Sequence, residues 1–354
     1  MKIIKSVIAT TLFALASVSP AALAEKPSFE QYVATLKQEA LEKGFEKSLV
    51  DEAFANLTYK KKVVKADKNQ PEFKQTLDTY LPRRVNKWVV NKARSLYQEK
   101  KTLLDEIGAK YGVQPRFIVA LWGLESSFGK HRGKMPVIAS LVTLAYEGRR
   151  ESLYRPQIFK ALDIVKQGEI SLEDLKGSWA GAMGQTQFMP SSFHAYAVDY
   201  DGDGKRDIWN NEKDVFASIA NYLKTEGWND DLTWGRQVVL PQSFDLVNAI
   251  PRGTRGRKDW LNKWTKSERS LSDWKALGLT RTNGKPIPVR NITAALVMPD
   301  DGEGRAYLAY DNYKVLMHWN RSYYFVTSVG YLSDLIKYGA KPAKRKTSGE
   351  KASD

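Results

Sequence analysis

The run Pro115-Arg116-Phe117-Ile118-Val119-Ala120-Leu121-Trp122-Gly123-Leu124-Glu125-Ser126-Ser127-Phe128-Gly129 sets one acid into an otherwise apolar helical pattern. Pro115 suits a first helical turn, where its missing N–H would have had no partner. Ile118, Leu121, Trp122 and Glu125 then recur at i, i+3, i+4 and i+7, so the acid shares the face that a helix buries. Ser126, Ser127 and Gly129 predict that the helix stops there, with the carboxylate at a helix end opening into a cleft. A carboxylic acid that donates a proton near neutral pH needs a raised pKa, and partial desolvation against Trp122 and Phe128 is the expected source. Spacing alone still favours the plainer reading, a helix-end glutamate that reaches water or pairs with a cation.

Upstream, Lys2 and Lys5, the apolar run Val7 to Val18 and Ala22-Leu23-Ala24 before Glu25 read as an export signal over residues 1–24. The apolar run is shorter than the roughly 20 residues a spanning helix needs. The 354-residue sequence contains no cysteine, so no disulfide and no thiol for a lipid anchor are expected. Soluble periplasm, without a membrane anchor, is the expected compartment. Loss of Lys2 and Lys5 lowers the formal charge from +15 to +13, which still favours an anionic partner. Export and the lack of a recognition helix, zinc-finger spacing or RNA-binding aromatic signature exclude nucleic acid. A cell-wall polymer bearing carboxylates fits the charge and the place.

Along the chain, Ser28 with Gln31 forms a capping box ahead of Phe29, Val33, Leu36 and Ala40, and Gly44 ends that helix. A second helix is expected from Ser48, a basic connector over Lys60 to Pro71, and helical pattern from Glu72 to Tyr111, with Pro82 a break or first-turn residue. Val85, Trp88 and Val89 form its apolar stripe. Several helices and Gly/Ser/Pro loops fill Pro115 to Leu223. Short β-type runs follow at Val238 to Leu240, Ala294 to Met298, Ala306 to Tyr310 and Val315 to His318. A final amphipathic helix covers about Ser322 to Tyr338. The expected fold is mainly α (α+β): an N-terminal helical region at 25–114, a catalytic core at 115–230, a small β-containing insertion at 231–318, a helix returning to the core at 319–340 and a basic tail at 341–354.

Asp199-Tyr200-Asp201-Gly202-Asp203-Gly204 matches the start of an EF-hand loop, with oxygen ligands at positions one, three and five and the turn glycine at six. Lys205 would offer its backbone carbonyl and Asp207 stands at position nine. Asn210 replaces the bidentate glutamate at twelve, so a longer loop closed by Asp214 is expected. The ion would be a structural calcium, and a plain tight turn is the alternative.

Glu125-Ser126-Ser127-Phe128-Gly129, followed by Gly181-Ala182-Met183-Gly184-Gln185-Thr186-Gln187-Phe188-Met189-Pro190-Ser191-Ser192-Phe193, resembles the lysozyme-like lytic transglycosylases, and specifically the membrane-bound lytic transglycosylase B family. Tyr146-Glu147-Gly148-Arg149-Arg150 and Asn320-Arg321-Ser322 match further elements of that family in the same order, and the resemblance spans about Phe29 to Tyr338. It implies a lysozyme-like core and cleavage of the β-1,4 bond between MurNAc and GlcNAc of peptidoglycan, with Glu125 as the single acid and base and a 1,6-anhydro-MurNAc end as product. It implies no cofactor for the chemistry, and an elongated EF-hand-like calcium site at Asp199, Asp201, Asp203, Lys205 and Asp214. Ser178, Met183, Gln187, Phe188 and Tyr222 would line the cleft, Asn320 would stand close to the reacting sugar, and Arg149 and Arg150 would either bind substrate carboxylates or sit in solvent. The expected state is a monomer working on glycan strands, in company with other cell-wall enzymes. Two other functions stay open: a muramidase hydrolysing the same bond, and a peptidoglycan-binding protein without catalysis. The sequence departs from the family at Trp319 and Phe325, where tyrosines are expected.

Overall fold

The computed structural model describes residues 26–68, 75–246, 264 and 266–339; the expected export signal at 1–24 and the basic tail at 341–354 lie outside them. The chain enters through the Phe29–Glu42 helix, whose capping box forms in both directions: Ser28 N–H donates to Gln31 at 2.8 Å and Gln31 N–H to the Ser28 hydroxyl at 3.2 Å. After the Lys47–Phe54 helix comes a difference from expectation, because Lys61–Lys68 is a helix and not a connector. Its lysines face out while Val63 and Val64 are buried against the Val137–Tyr146 helix, two apolar residues in a run of charges being enough to anchor two turns.

Helical pattern over the next segment divides into Leu77–Arg84, with Pro82 inside it, Lys87–Glu99 and Lys101–Tyr111. Asn86 caps the middle helix by accepting from Val89 N–H at 3.1 Å, which restarts the helical phase at Lys87. The buried face is therefore Val90, Ala93 and Leu96, and Trp88, expected in the stripe, is 50% exposed.

Pro115 opens the central helix, Pro115–Ser126, as its sequence predicts. It is buried nearly all round, packed by Lys87–Glu99, Lys101–Tyr111, Glu212–Thr225 and Tyr323–Tyr338. Val137–Tyr146 pairs with Glu151–Lys166, and the short Pro190–Tyr196 helix packs on the latter.

Beyond Trp228 a five-stranded antiparallel sheet runs in the order Arg269–Ser270, Thr293–Val297, Ala306–Ala309, Gly235–Val239, Thr280–Arg281. It has a small apolar core of its own, built on Val238, Leu271, Trp274, Leu296 and Leu308. Val315 to His318, expected as a β-type run, belongs to the Asp311–Trp319 helix. Its buried residues are Asn312, Tyr313, Val315, Leu316 and Met317; a four-residue apolar run carries no period by which to tell the two apart. Trp234 ties the sheet to the helices: its ring lies on Gly330, where a Cβ would come within 2.1 Å, and its N–H donates to Asp334 at 3.2 Å. Among the described residues no helix is long and apolar enough to cross a membrane.

Candidate active site

Glu125 occupies the last turn of the central helix, partly buried, one residue before its end. The chain leaves through three successive left-handed residues, Ser127 (φ 51°), Phe128 (φ 58°) and Gly129 (φ 79°). Left-handed Ser and Phe are strained, and such strain persists only where the surroundings hold it. Here the Ser126 hydroxyl donates to Trp122 O at 3.1 Å and accepts from Gly129 N–H at 3.1 Å. Arg84 closes the helix end from outside, donating to Leu124 O at 2.6 Å, a carbonyl that has no helical partner.

The two long motifs meet directly. Gln185 accepts from the Trp122 indole at 2.7 Å and donates to Trp209 O at 2.9 Å, and its amide oxygen would lie 2.3 Å from a Cβ at position 129. Gly129 is thus needed both for its backbone angle and for this approach. The expected desolvating walls are only partly in place. Trp122 is buried beneath the helix, and Phe128 packs on Gly123, which lies about 200° around the helix from Glu125.

The wall that does reach the acid is Trp319, whose indole N–H donates to Glu125 Oε1 at 2.7 Å. Trp319 in turn packs on Tyr222 (ring centroids 4.6 Å apart) and Phe188 (5.3 Å), and Tyr222 on Tyr196 (4.2 Å). Burial holds the Tyr222 hydroxyl far above its ordinary pKa, so it stays neutral. Two expected cleft residues, Phe188 and Tyr222, are therefore joined to Glu125 through a residue noticed only as a departure from the family. Met183 is fully buried behind them and pairs with Phe188 through both backbone hydrogen bonds, at 2.8 and 3.2 Å; it backs the wall without facing a ligand. Gln187, left-handed at φ 53°, donates to Gly184 O at 2.9 Å, and the Ser178 hydroxyl accepts from Ala182 N–H at 3.1 Å, so both spend polar atoms on the motif loop itself.

On its other side Glu125 faces a cleft of about 400 Å³ lined by Gln75, Tyr80, Arg83, Arg84, Leu124, Asn320 and Phe325. Asn320 lines this cleft together with Glu125. Glu125 is the only carboxylate among the described lining residues. The two arginines come from the N-terminal region, which carried no motif and gave no signal of this role. Arg149 and Arg150 do not line this cleft; both pair with Asp67, and neighbouring Glu147 accepts from Tyr59, so this element docks the N-terminal helices.

In the acidic loop, carboxylate oxygens of Asp199, Asp201 and Asp203 lie within 4.8 Å of one another. Asp214 does not join them. It is fully buried, and its two oxygens accept from Tyr200 N–H and Asp207 N–H, each at 2.8 Å, which braces the loop from below. Burial pushes its carboxyl up to about 6 against the pull of those two bonds, with Asp201 and Asp199 adding to the rise. Lys205 donates its N–H to Asp203 at 2.9 Å. An all-oxygen, triply acidic set suits a hard cation such as Ca²⁺.

A helical core around one buried helix, one carboxylate among the described residues of the cleft at its end and a small appended sheet define a lysozyme-like fold. Residues 28–334 match the transglycosylase SLT domain, and the chain belongs to that family. It is 32% identical over 229 residues to membrane-bound lytic murein transglycosylase B of Escherichia coli (strain K12), an alignment covering 64% of this chain; it spans 58% of that relative's length. Among solved structures it is similar to SltB3 from Pseudomonas aeruginosa in complex with NAG-anhNAM-pentapeptide, with a TM-score of 0.79, 38% identity and coverage of 88% of this chain and 80% of that one. The Escherichia coli lytic transglycosylase SLT35, solved in complex with calcium, aligns with a TM-score of 0.71 at 25% identity over 89% of this chain and 94% of that one.

A hydrogen bond to a charged group is worth about 1.5–3 kcal/mol. Trp319→Phe is expected to lower kcat about tenfold or more with little change in KM, and Trp319→Tyr, which restores a donor, to recover part of the loss. A rise in KM at constant kcat would instead make Trp319 a binding contact.

Proposed function

We propose that this protein is an exported lytic transglycosylase that cleaves the β-1,4 bond between MurNAc and GlcNAc of peptidoglycan without consuming water. The observation that carries this reading is a cleft whose only described carboxylate is Glu125, oriented by the Trp319 indole. Glycosidases that hydrolyse with two carboxyl groups need a second one across the bond. One group suffices if it acts twice.

Protonated Glu125 gives its proton to the glycosidic oxygen as the bond to MurNAc C1 breaks, and GlcNAc leaves with a free hydroxyl. The positive character that develops at C1 faces the new carboxylate, which the Trp319 N–H holds in place. Glu125 then takes the proton of the MurNAc C6 hydroxyl while that oxygen bonds to C1. The 1,6-anhydro ring closes, the carboxyl group is restored and atoms balance with no cofactor. Asn320, beside Glu125 in the cleft, is the amide placed to hold a sugar hydroxyl, and Arg83 and Arg84 supply positive charge for lactyl or peptide carboxylates. Phe188 and Tyr222 set the aromatic wall, while Ser178, Met183 and Gln187 shape the motif loop behind it. Digestion of purified sacculi tests the reading. Muropeptides one water lighter than the reducing forms are expected, and reducing ends throughout would establish a muramidase.

The export-signal reading of Met1 to Ala24 supports a periplasmic enzyme, and we read it as a monomer working on cell-wall glycan. Asp199, Asp201 and Asp203 are the side chains that would hold a structural Ca²⁺, as the calcium complex of SLT35 supports. Calcium at about a hundred times its Kd would stabilise the fold by about 2.7 kcal/mol. At about 2–4 °C per kcal/mol, Tm should rise by about 5–10 °C over the chelated protein, and D201N/D203N should abolish the increment. An unchanged Tm in wild type would remove the ion from the account.

A further inference from the structure

A second and larger cavity, of about 1040 Å³, lies between the sheet and the C-terminal end of the Tyr323–Tyr338 helix. Phe325 near the start of that helix lines the Glu125 cleft, whereas Asp334 and Tyr338 line this cavity. From Phe325 to Tyr331, Asp334 and Tyr338 is six to thirteen residues, about 9–20 Å at about 1.5 Å each, and the two sites share no lining residue.

The chemistry of the second cavity is cationic and aromatic. Lys87, Arg236 and Arg281 line it from a helix and two strands, and no carboxylate of the described residues lies within ion-pair distance of any of them, whereas Arg305, also in the lining, pairs with Asp78. Asp334 is the only carboxylate among the described lining residues and is already held by the buried Arg116 at 2.8 Å. Tyr331 and Tyr338 add exposed rings, 39% and 61% accessible, at the rim. Three cations gathered in a concave site with aromatic walls fit a small ligand that carries several carboxylates and short apolar groups.

We propose that this cavity binds a peptidoglycan stem peptide through its carboxylates, as a hold on the wall separate from the cleavage site. The proposal rests on the reading of the enzyme as a cell-wall transglycosylase, which supplies such peptides beside every MurNAc it meets. Charge favours this occupant: the uncharged glycan backbone alone would leave Lys87, Arg236 and Arg281 without counter-charges.

Isothermal titration calorimetry with a synthetic tetrapeptide stem bearing free carboxylates, and with the same peptide fully amidated, tests the site. The free peptide is expected to bind wild type and Glu125→Gln alike, to bind R236Q/R281Q about tenfold more weakly, and to lose about tenfold on amidation. Both arginines are exposed, so the double variant should keep the wild-type Tm. Lys87→Gln, on a different wall, should weaken binding by about threefold or more and guards against a local disturbance in the sheet. No binding to wild type, or wild-type affinity in both the arginine and the lysine variants, would overturn the proposal. Failure of the enzymatic reading looks different: sacculi digests without anhydro ends, while the peptide still binds and still loses affinity in R236Q/R281Q, would leave this site standing.

Discussion

Glu125→Gln is expected to cut the turnover of sacculi by at least about three orders of magnitude while leaving the fold and the affinity for glycan nearly unchanged. The amide keeps the size of the side chain and can still meet the Trp319 N–H with its oxygen, so the wall of Trp319, Tyr222 and Phe188 should stand. It can neither give up the proton that releases GlcNAc nor take the proton from the C6 hydroxyl. A positioned general acid or base contributes about 10²–10⁴-fold, and here one group serves in both steps. No other carboxylate among the described lining residues can stand in. Steady-state rates on sacculi, with a sedimentation assay for binding, separate the two effects. Activity within about tenfold of wild type would remove Glu125 from the centre of the mechanism.

The second large effect is expected on stability. Trp122 is almost wholly buried under the central helix, edge-on to Phe128 and Phe216, and its N–H holds Gln185 of the other motif. Trp122→Ala removes a large core side chain, at about 3–5 kcal/mol, and leaves a buried amide oxygen unpaired, at about 1–3 kcal/mol more. Against the usual total of about 5–15 kcal/mol, this variant should unfold at a far lower denaturant concentration or fail to accumulate. Trp122→Phe keeps most of the packing and should lose chiefly the hydrogen bond. A loss below about 2 kcal/mol in the alanine variant, read from urea midpoints, would mean that Trp122 does not join the two motifs as described.

Glu125 and its helix were legible in the sequence because every signal there is local: a proline at the start, helical spacing through the middle, Ser and Gly at the end. The same holds for the Ser28 capping box and for three of the strands. What escaped was long-range or short of a full period. Trp319 lies 194 residues from the acid it orients, and no local pattern announces that contact. Arg83 and Arg84 reach the cleft only because the N-terminal helices fold back over the central one. Val315 to His318 was too short to show its helical phase, and Lys61–Lys68 hid two anchoring valines among lysines. Asp214 stands in the sequence where a longer metal loop would close, but burial turns its oxygens toward two backbone amides. Arg149 and Arg150, read as substrate contacts by resemblance, found Asp67, which no motif had marked.

The central claim is that one carboxylate closes the C6 oxygen onto C1 and admits no water to the reaction. Digestion of sacculi in oxygen-18-labelled water tests this most directly, with the new ends weighed by mass spectrometry. Anhydro ends carrying no label are expected. One labelled oxygen at each newly formed MurNAc end would contradict it.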